Sequence, residues 1–382
     1  MSDHAHKEFP ISRRDVLCRG GASVLSAMMA SLLGSTRPVR AEAISGSVPE
    51  LDALAVRVVT DSYQFAVAPS RTADGVQIQH FGWGIGGDKP PGRTLASEFG
   101  LSMHVESRRG TQIRNVLVDF GFTPQALVNN TELLGIKPAA LDALVLSHGH
   151  YDHFGGLVGF LQQHKGKIKP KLPLYVGGED CFCSREWTAP PARGNFGVLD
   201  RQALKEANLT VTSVEGPSLV ADHGFTTGQI GLQSFEKLLS PTAMKVGVDH
   251  GVGCYADKLP EDERTKTVVP DQFRHEIATG FNLKGRGLVV LTSCSHRGVV
   301  NAIKQAQATS GIKKVHAVIG GFHLAPYKED YVQQTLAALK EIDIDYVIPL
   351  HCTGEPFYEM AKADMPNKLL RSYTGTRFVF GA

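Results

Sequence analysis

The run SHGHYDHFGG, Ser147 to Gly156, sets His148, His150, Asp152 and His153 at H-x-H-x-D-H spacing directly after an apolar stretch at 141–146. Imidazole nitrogens and a carboxylate oxygen at that density form a metal-binding set. Alternate residues of an extended segment point the same way, so His148 and His150 can share one ion while Asp152 and His153 turn toward another. The element that must position them is the apolar stretch. A buried strand ending at Ser147 delivers ligands at its C-terminal edge, where functional groups converge in layered α/β proteins. A tag-like histidine tract would lack the interposed acid, the preceding strand and the following Gly155-Gly156. That glycine pair opens a helix expected over 157–164, whose N-terminus would direct partial positive charge toward the site.

The rest of the chain alternates strand and helix patterns. Strands are expected at 56–59, 101–106, 115–119, 314–319 and 346–350, a hairpin at 281–291 around Gly285-Arg286, and helices at 124–134, 299–309 and 331–341. Residues 174–282 are the least regular, with Pro190-Pro191 and a charged stretch at 257–264. Long connections on a rigid scaffold commonly carry specificity, so an insertion at about 174–280 is expected to govern substrate choice. The glycine cluster at 82–87 follows no buried strand and opens no amphipathic helix, which makes it a surface loop rather than a nucleotide cradle.

The metal loop resembles that of the metallo-β-lactamase superfamily. The later ligands of that superfamily are single residues just past hydrophobic strands, and two such positions exist: His296 after LVVLTSCS and His351 after YVIPL. The resemblance implies an α/β fold, a four-layer αββα sandwich, and a binuclear centre. His148, His150 and His296 would hold one ion, and Asp152, His153 and His351 the second. Nitrogen-rich ligation suits zinc, with iron or manganese as alternatives where a carboxylate contributes. Two divalent metal ions sharing a water would supply a metal-bound hydroxide as nucleophile. Asp119 matches the superfamily's first motif, an acid that hydrogen-bonds the metal loop; Cys294 and Cys352 suit packing or support of the ligands rather than bridging.

The motifs HGHYDHFGGL, Thr227-Gly228, GLVVLTSCSHRGVVN, VIGGFHL and PLHCTG together resemble the subgroup typified by archaeal-type 7,8-dihydropterin-6-yl-methyl-4-(β-D-ribofuranosyl)aminobenzene-5′-phosphate synthase, over roughly Val56 to Gly354. Most binuclear members carry a bridging aspartate where this chain has Gly320-Gly321-Phe322-His323. Asp152 and His323 are the catalytic candidates. His323 is open to three roles, as a ligand, as a general acid or oxyanion stabiliser facing the substrate, or as a packed histidine. Three functions are compatible: a hydrolase of an ester, lactone or phosphoester-type bond in a small-molecule substrate, a pterin-synthase-like transferase, and a non-enzymatic metal-binding protein. The transferase would need basic residues for phosphate, for which Arg297, Lys245 and Arg286 are the candidates. The C-S-H-R-G and GGFHL runs differ from those of antibiotic-degrading relatives.

Composition fits a globular protein with one large core or two modest ones: 382 residues, 42% hydrophobic and 20% charged. A net charge of +2 from 40 basic and 38 acidic residues, with no basic stripe, argues against nucleic acid as a partner. Ser12-Arg13-Arg14, a weakly apolar run at 22–33 and Val39-Arg40-Ala41 resemble a twin-arginine signal peptide over residues 1–41, followed by a linker at 42–55 and the domain at 56–382. The apolar run falls short of the roughly 20 residues a spanning helix needs. The expectation is recognition by the twin-arginine export machinery, cleavage without a remaining membrane span, and a periplasmic or secreted location. Cys181, Cys183, Cys254, Cys294 and Cys352 would remain, an odd number that leaves at least one thiol unpaired. Cys181 and Cys183 stand too close for an easy mutual bridge.

Overall fold

Alternation along the strands decides the layering. In strand Gly287–Leu291, Val289 and Leu291 enter one buried cluster while Leu288 and Val290 enter a second. In strand Ala143–Leu146, Ala143 and Val145 join that same first cluster and Leu144 and Leu146 a third. Successive side chains of a strand face opposite ways, so a strand covered on both faces reads as a continuous apolar run. The first cluster fills the space between two sheets, and the other two lie beneath helices on the outer faces. The result is the α/β four-layer αββα sandwich that the sequence motifs implied.

The computed structural model describes Ile44 and residues 46–82 and 90–381. The signal segment expected at 1–41 and most of the glycine cluster lie outside those residues. Among the described residues, nine strands form one sheet in the order Thr210–Ser213, Pro173–Val176, Ala143–Leu146, Gln112–Val118, Ser102–Arg109, Ala53–Thr60, Arg377–Phe380, Val76–Gln79 and Arg71–Ala73. The facing sheet runs Ser218–Val220, Gly224–Thr226, Thr279–Leu283, Gly287–Leu291, Val315–Gly321 and Tyr346–Leu350, with Glu50–Leu51 pairing to Thr279–Leu283. The last three of these strands are parallel, which sends all their C-terminal ends to one edge.

The helices close the outer layers by their apolar stripes. In Val299–Ser310, Val299, Ala302, Ile303 and Ala306 recur at helical spacing and are buried against the sheet. Helices Glu329–Glu341 and Glu355–Asp364 complete that layer. Pro124–Leu133 and Leu157–Gln163 cover the other sheet, the former started by Pro124 and by Thr123, whose hydroxyl accepts from Ala126 N at 3.2 Å. Among the described residues no helix is long and apolar enough to cross a membrane.

Three local readings shift. The folded region begins before Val56: Leu51 and Leu54 are core residues, and Glu50 and Leu51 pair with Asn282 and Leu283, so the expected linker is partly sheet. The segment at 174–280 is not a single insertion. It supplies edge strands to both large sheets and builds a further small sheet from Gly194–Asn195, Ser184–Trp187, Thr242–Lys245 and Val268–Pro270. Gly155 and Gly156 answer to close packing, since a Cβ on either would overlap the carbonyl oxygen of Phe122 or Phe120.

Candidate metal centre

Five strand ends carry the candidate metal ligands and their supporting acids, and His323 follows a sixth, that of Val315–Gly321. Thr60 is followed by Asp61, Val118 by Asp119, Leu146 by the Ser147–His153 loop, Leu291 by the Thr292–His296 turn, and Leu350 by His351. His148, Asp152, His153, His296 and His351 are all buried. Donor atoms of Asp152, His153, Cys294 and His351 lie within 4.8 Å of one another, as do those of His148, Cys294 and His296, and those of Cys294, His323 and Cys352. His150 stands outside these groups but beside them, its ring centroid 4.9 Å from that of His148 and 4.7 Å from that of His296.

Hydrogen bonds sort the two nitrogens of each loop histidine. The Ser147 hydroxyl donates to Asp119 Oδ2 at 2.8 Å, so its oxygen is left to accept from His148 Nδ1 at 2.9 Å. His153 Nδ1 donates to the same Asp119 oxygen at 2.7 Å. Thr242 Oγ1 lies 3.3 Å from Asp271 Oδ2, to which it can only donate, and 2.9 Å from His150 Nε2, from which it therefore accepts. Each ring is thus protonated on its outer nitrogen, and the lone pairs of His148 Nε2, His150 Nδ1 and His153 Nε2 remain for an ion. Asp119 thus hydrogen-bonds the loop through the side chains of Ser147 and His153. It also takes the Ser147 N–H at 2.8 Å and sits at φ 56°, turning the chain at the strand's end.

The later ligands are fixed by backbone capture. Glu276 accepts the N–H groups of His296 at 2.8 Å and Arg297 at 2.7 Å, and Phe273 stacks on the His296 ring at 3.9 Å. Asp61 accepts the His351 N–H at 3.0 Å. A Cβ on Gly320 would overlap the Thr292 carbonyl, so this glycine lets its strand press on the turn that carries Cys294 and His296. His323 follows at φ 47°, its ring 4.1 Å from that of His296.

Electrostatics favour neutral imidazoles at His148, His150 and His296 and an ionised Asp152, whereas burial at His351 is outweighed by Cys352, Asp152 and Asp61, which raise it to about 9. Burial, reinforced by the neighbouring histidines, holds His148 and His296 well below the usual histidine range, and burial takes His150 down to about 3. Burial alone would raise Asp152, but His153 and His351 outweigh it and hold the carboxyl below its ordinary range.

Several contributors carried no visible signal in the sequence. Arg185, 1% exposed, pairs with Asp271 at 2.8 Å and donates to the carbonyl oxygens of Asp180, Cys181 and Cys183; its guanidinium also fills the space that a side chain at Gly149 would need. Cys183 is bonded to Cys254 rather than to Cys181, and Cys181, Cys294 and Cys352 are free and buried. Cys294, expected to pack or support the ligands, stands among the donors of all three groups.

The chain is similar to the metallo-β-lactamase superfamily and shares its fold. The superfamily's sequence model matches residues 111–235, which include the metal loop and Asp119. The chain is 29% identical over 284 residues to the 7,8-dihydropterin-6-methyl-4-(beta-D-ribofuranosyl)-aminobenzene-5'-phosphate synthase of Methanocaldococcus jannaschii, covering 73% of this chain and 89% of that protein. It is 26% identical over 264 residues to an uncharacterized protein of the same organism, covering 69% and 87%. A solved structure described as a metal-dependent hydrolase of the beta-lactamase superfamily superposes with a TM-score of 0.60 at 21% identity, covering 85% of this chain and 98% of that one, and shares the fold.

Proposed function

We propose that this protein is an exported metal-dependent hydrolase with two divalent ions, zinc foremost, one held by His148, His150 and His296 and the other by Asp152, His153 and His351. One observation carries the reading. His148 Nε2, Asp152 Oδ1, both ring nitrogens of His296 and His351 Nδ1 are buried without a hydrogen-bond partner, and His351 Nε2 faces Asp152 Oδ2 at 3.2 Å. Each such atom left unsatisfied costs about 1–3 kcal/mol, so a fold that gathers them needs something to fill the centre. Nitrogen with one carboxylate is the donor chemistry of zinc. Two divalent ions supply Lewis acidity and a water acidified toward neutral pH.

The chain's own residues do the rest. Asp119 and Thr242 keep the loop imidazoles in the tautomers that leave lone pairs inward. His323, half-buried beside His296, is the side chain available to protonate a leaving group. Phe99, 55% exposed with its ring 4.9 Å from that of His351, and Phe196, 5.3 Å from His150, offer apolar surface to the acyl, aryl or alkyl part of an ester, lactone or phosphoester. The Cys183–Cys254 disulfide supports the export reading, because such bonds persist in oxidising compartments.

A synthase-like transferase is the second reading, favoured by the 29% identity to the archaeal enzyme. Two of the three basic candidates for phosphate, Arg297 and Arg286, are poorly placed. The Arg297 guanidinium is spent on the carbonyl oxygens of Ile230 and Gln272. Arg286 precedes strand Gly287–Leu291, at the end remote from His296, some 16 Å away at about 3.3 Å per residue.

The test offers zinc-loaded protein an aryl ester, a lactone, a phosphodiester, and the dihydropterin with its aminobenzene ribose phosphate partner. Hydrolysis that disappears in His148→Ala is the expected result. Coupling of the pterin pair without hydrolysis would replace the hydrolase with the transferase, and a protein that binds no metal and turns over nothing would leave only the non-enzymatic reading.

A further inference from the structure

Of the three donor groups, the two that hold the assigned histidine and aspartate ligands share one atom. Cys294 Sγ lies within 4.8 Å of the donors of His148 and His296 and within 4.8 Å of those of Asp152, His153 and His351; among the described residues no other side chain belongs to both sets. We propose that Cys294 is a metal ligand, a thiolate that bridges the two ions in the role a shared carboxylate fills in two-ion sites, an inference that rests on the binuclear reading above.

Position is the first argument. Zinc bonds of about 2.1 Å to nitrogen and 2.3 Å to sulfur put two ligands of one tetrahedral ion about 3.5 Å apart. His153 Nε2 lies 3.2 Å from Cys294 Sγ, which suits two ligands of a common ion. A sulfur with bonds of about 2.3 Å also reaches two ions at the roughly 3.5–4 Å separation of two-metal sites.

Surroundings and charge are the second. A cysteine that only fills space sits among carbon atoms, whereas Cys294 is 2% exposed and ringed by imidazoles and a carboxylate. The turn that carries it is held on both sides: Gly321 N donates to Ser293 O at 3.0 Å, and the Ser295 hydroxyl donates to Gly321 O at 2.8 Å. Of the six ligands assigned above, only Asp152 is anionic, one negative charge against four positive from two divalent ions. A thiolate adds the second charge that the sequence Gly320-Gly321-Phe322-His323 does not supply, and its softness selects zinc over manganese. On loading, the Cys294 S–H bond breaks, its proton passes to solvent, and sulfur–metal bonds form without change of oxidation state. Cys352 Sγ, 3.4 Å from Cys294 Sγ, belongs to neither of these two sets, though it joins Cys294 and His323 in the third, and is the competing thiol that the experiment separates from Cys294.

The experiment is cobalt(II) reconstitution of the metal-stripped, reduced protein, read by absorption and by metal stoichiometry. Wild type should bind two cobalt ions, show a near-ultraviolet sulfur-to-cobalt charge-transfer band, and release a thiol proton on loading. Cys294→Ser should lose the band and weaken at least one ion by roughly 100-fold or more, since removing a ligand costs at least what removing its outer partner does. Cys294→Asp should recover two-ion binding without the band, and Cys352→Ser should keep it. Two ions bound by wild type with no band would overturn the bridge and leave the binuclear centre standing. A band kept in Cys294→Ser but lost in Cys352→Ser would overturn it in favour of the neighbouring thiol. Failure of wild type to bind cobalt would remove the centre itself.

Discussion

Residues 141–156 and 287–354 deliver metal donors from the C-terminal ends of regular, doubly buried strands, whereas residues 185–276 deliver the groups that hold those donors in place, from short strands and turns. His148, His296 and His351 each stand where an apolar run stops. Arg185, Thr242, Asp271 and Glu276 have no common spacing and meet only through the small sheet and the turns beside it. The contrast is between residues defined by where a strand ends and residues defined by which segments fold together.

If that division is right, damage at the strand ends should be the most severe. His148→Ala or Asp152→Ala should lower kcat/KM by about a thousandfold or more, roughly 4 kcal/mol of transition-state stabilisation, with loss of one ion by elemental analysis. Substitutions in the middle should act on affinity instead. Thr242→Val and Asp271→Asn free the outer nitrogen of His150 and should weaken the first ion by roughly 10–100-fold in a competitive chelator titration, with turnover recovering at saturating metal. Asp119→Asn should weaken metal binding by a similar factor, because Asp119 supports His148 and His153 together.

The disulfide sharpens the comparison from the other side. Cys183 and Cys254 close a loop with a sequence separation of 71, and Cys183→Ser with Cys254→Ser should cost about 2–4 kcal/mol in denaturant unfolding while metal content stays at the wild-type value. The smallest effect expected is at the rim, where Phe99→Ala should raise KM for an apolar substrate by roughly tenfold or less with kcat unchanged.

What the sequence made legible follows the same line. The loop His148–His153 and the late positions His296 and His351 stood out because each joins a reactive side chain to a long apolar strand, and the structure gathers them at one edge. Asp119 was legible through a motif. His323 was legible as a position after a buried strand, and the structure puts it beside His296 and the two thiols rather than among the histidine and aspartate donors. Cys294 reads in the sequence as a packing or supporting residue, because a single cysteine near a ligand resembles one; in the structure its sulfur lies within 4.8 Å of the donors of both sets. Glu276 and Thr242 act through one backbone capture and one hydroxyl, and such contacts leave no periodic trace in a chain.

On the proposed reading, the strand ends hold two ions in separable sets. The most direct measurement is zinc stoichiometry of wild type, His296→Ala and His351→Ala after stripping and dialysis against a fixed free zinc concentration. Two ions per chain in wild type and one in each variant is the predicted result. One ion per chain in wild type, lost altogether in both variants, would contradict the account by showing a single mononuclear centre to which both histidines belong.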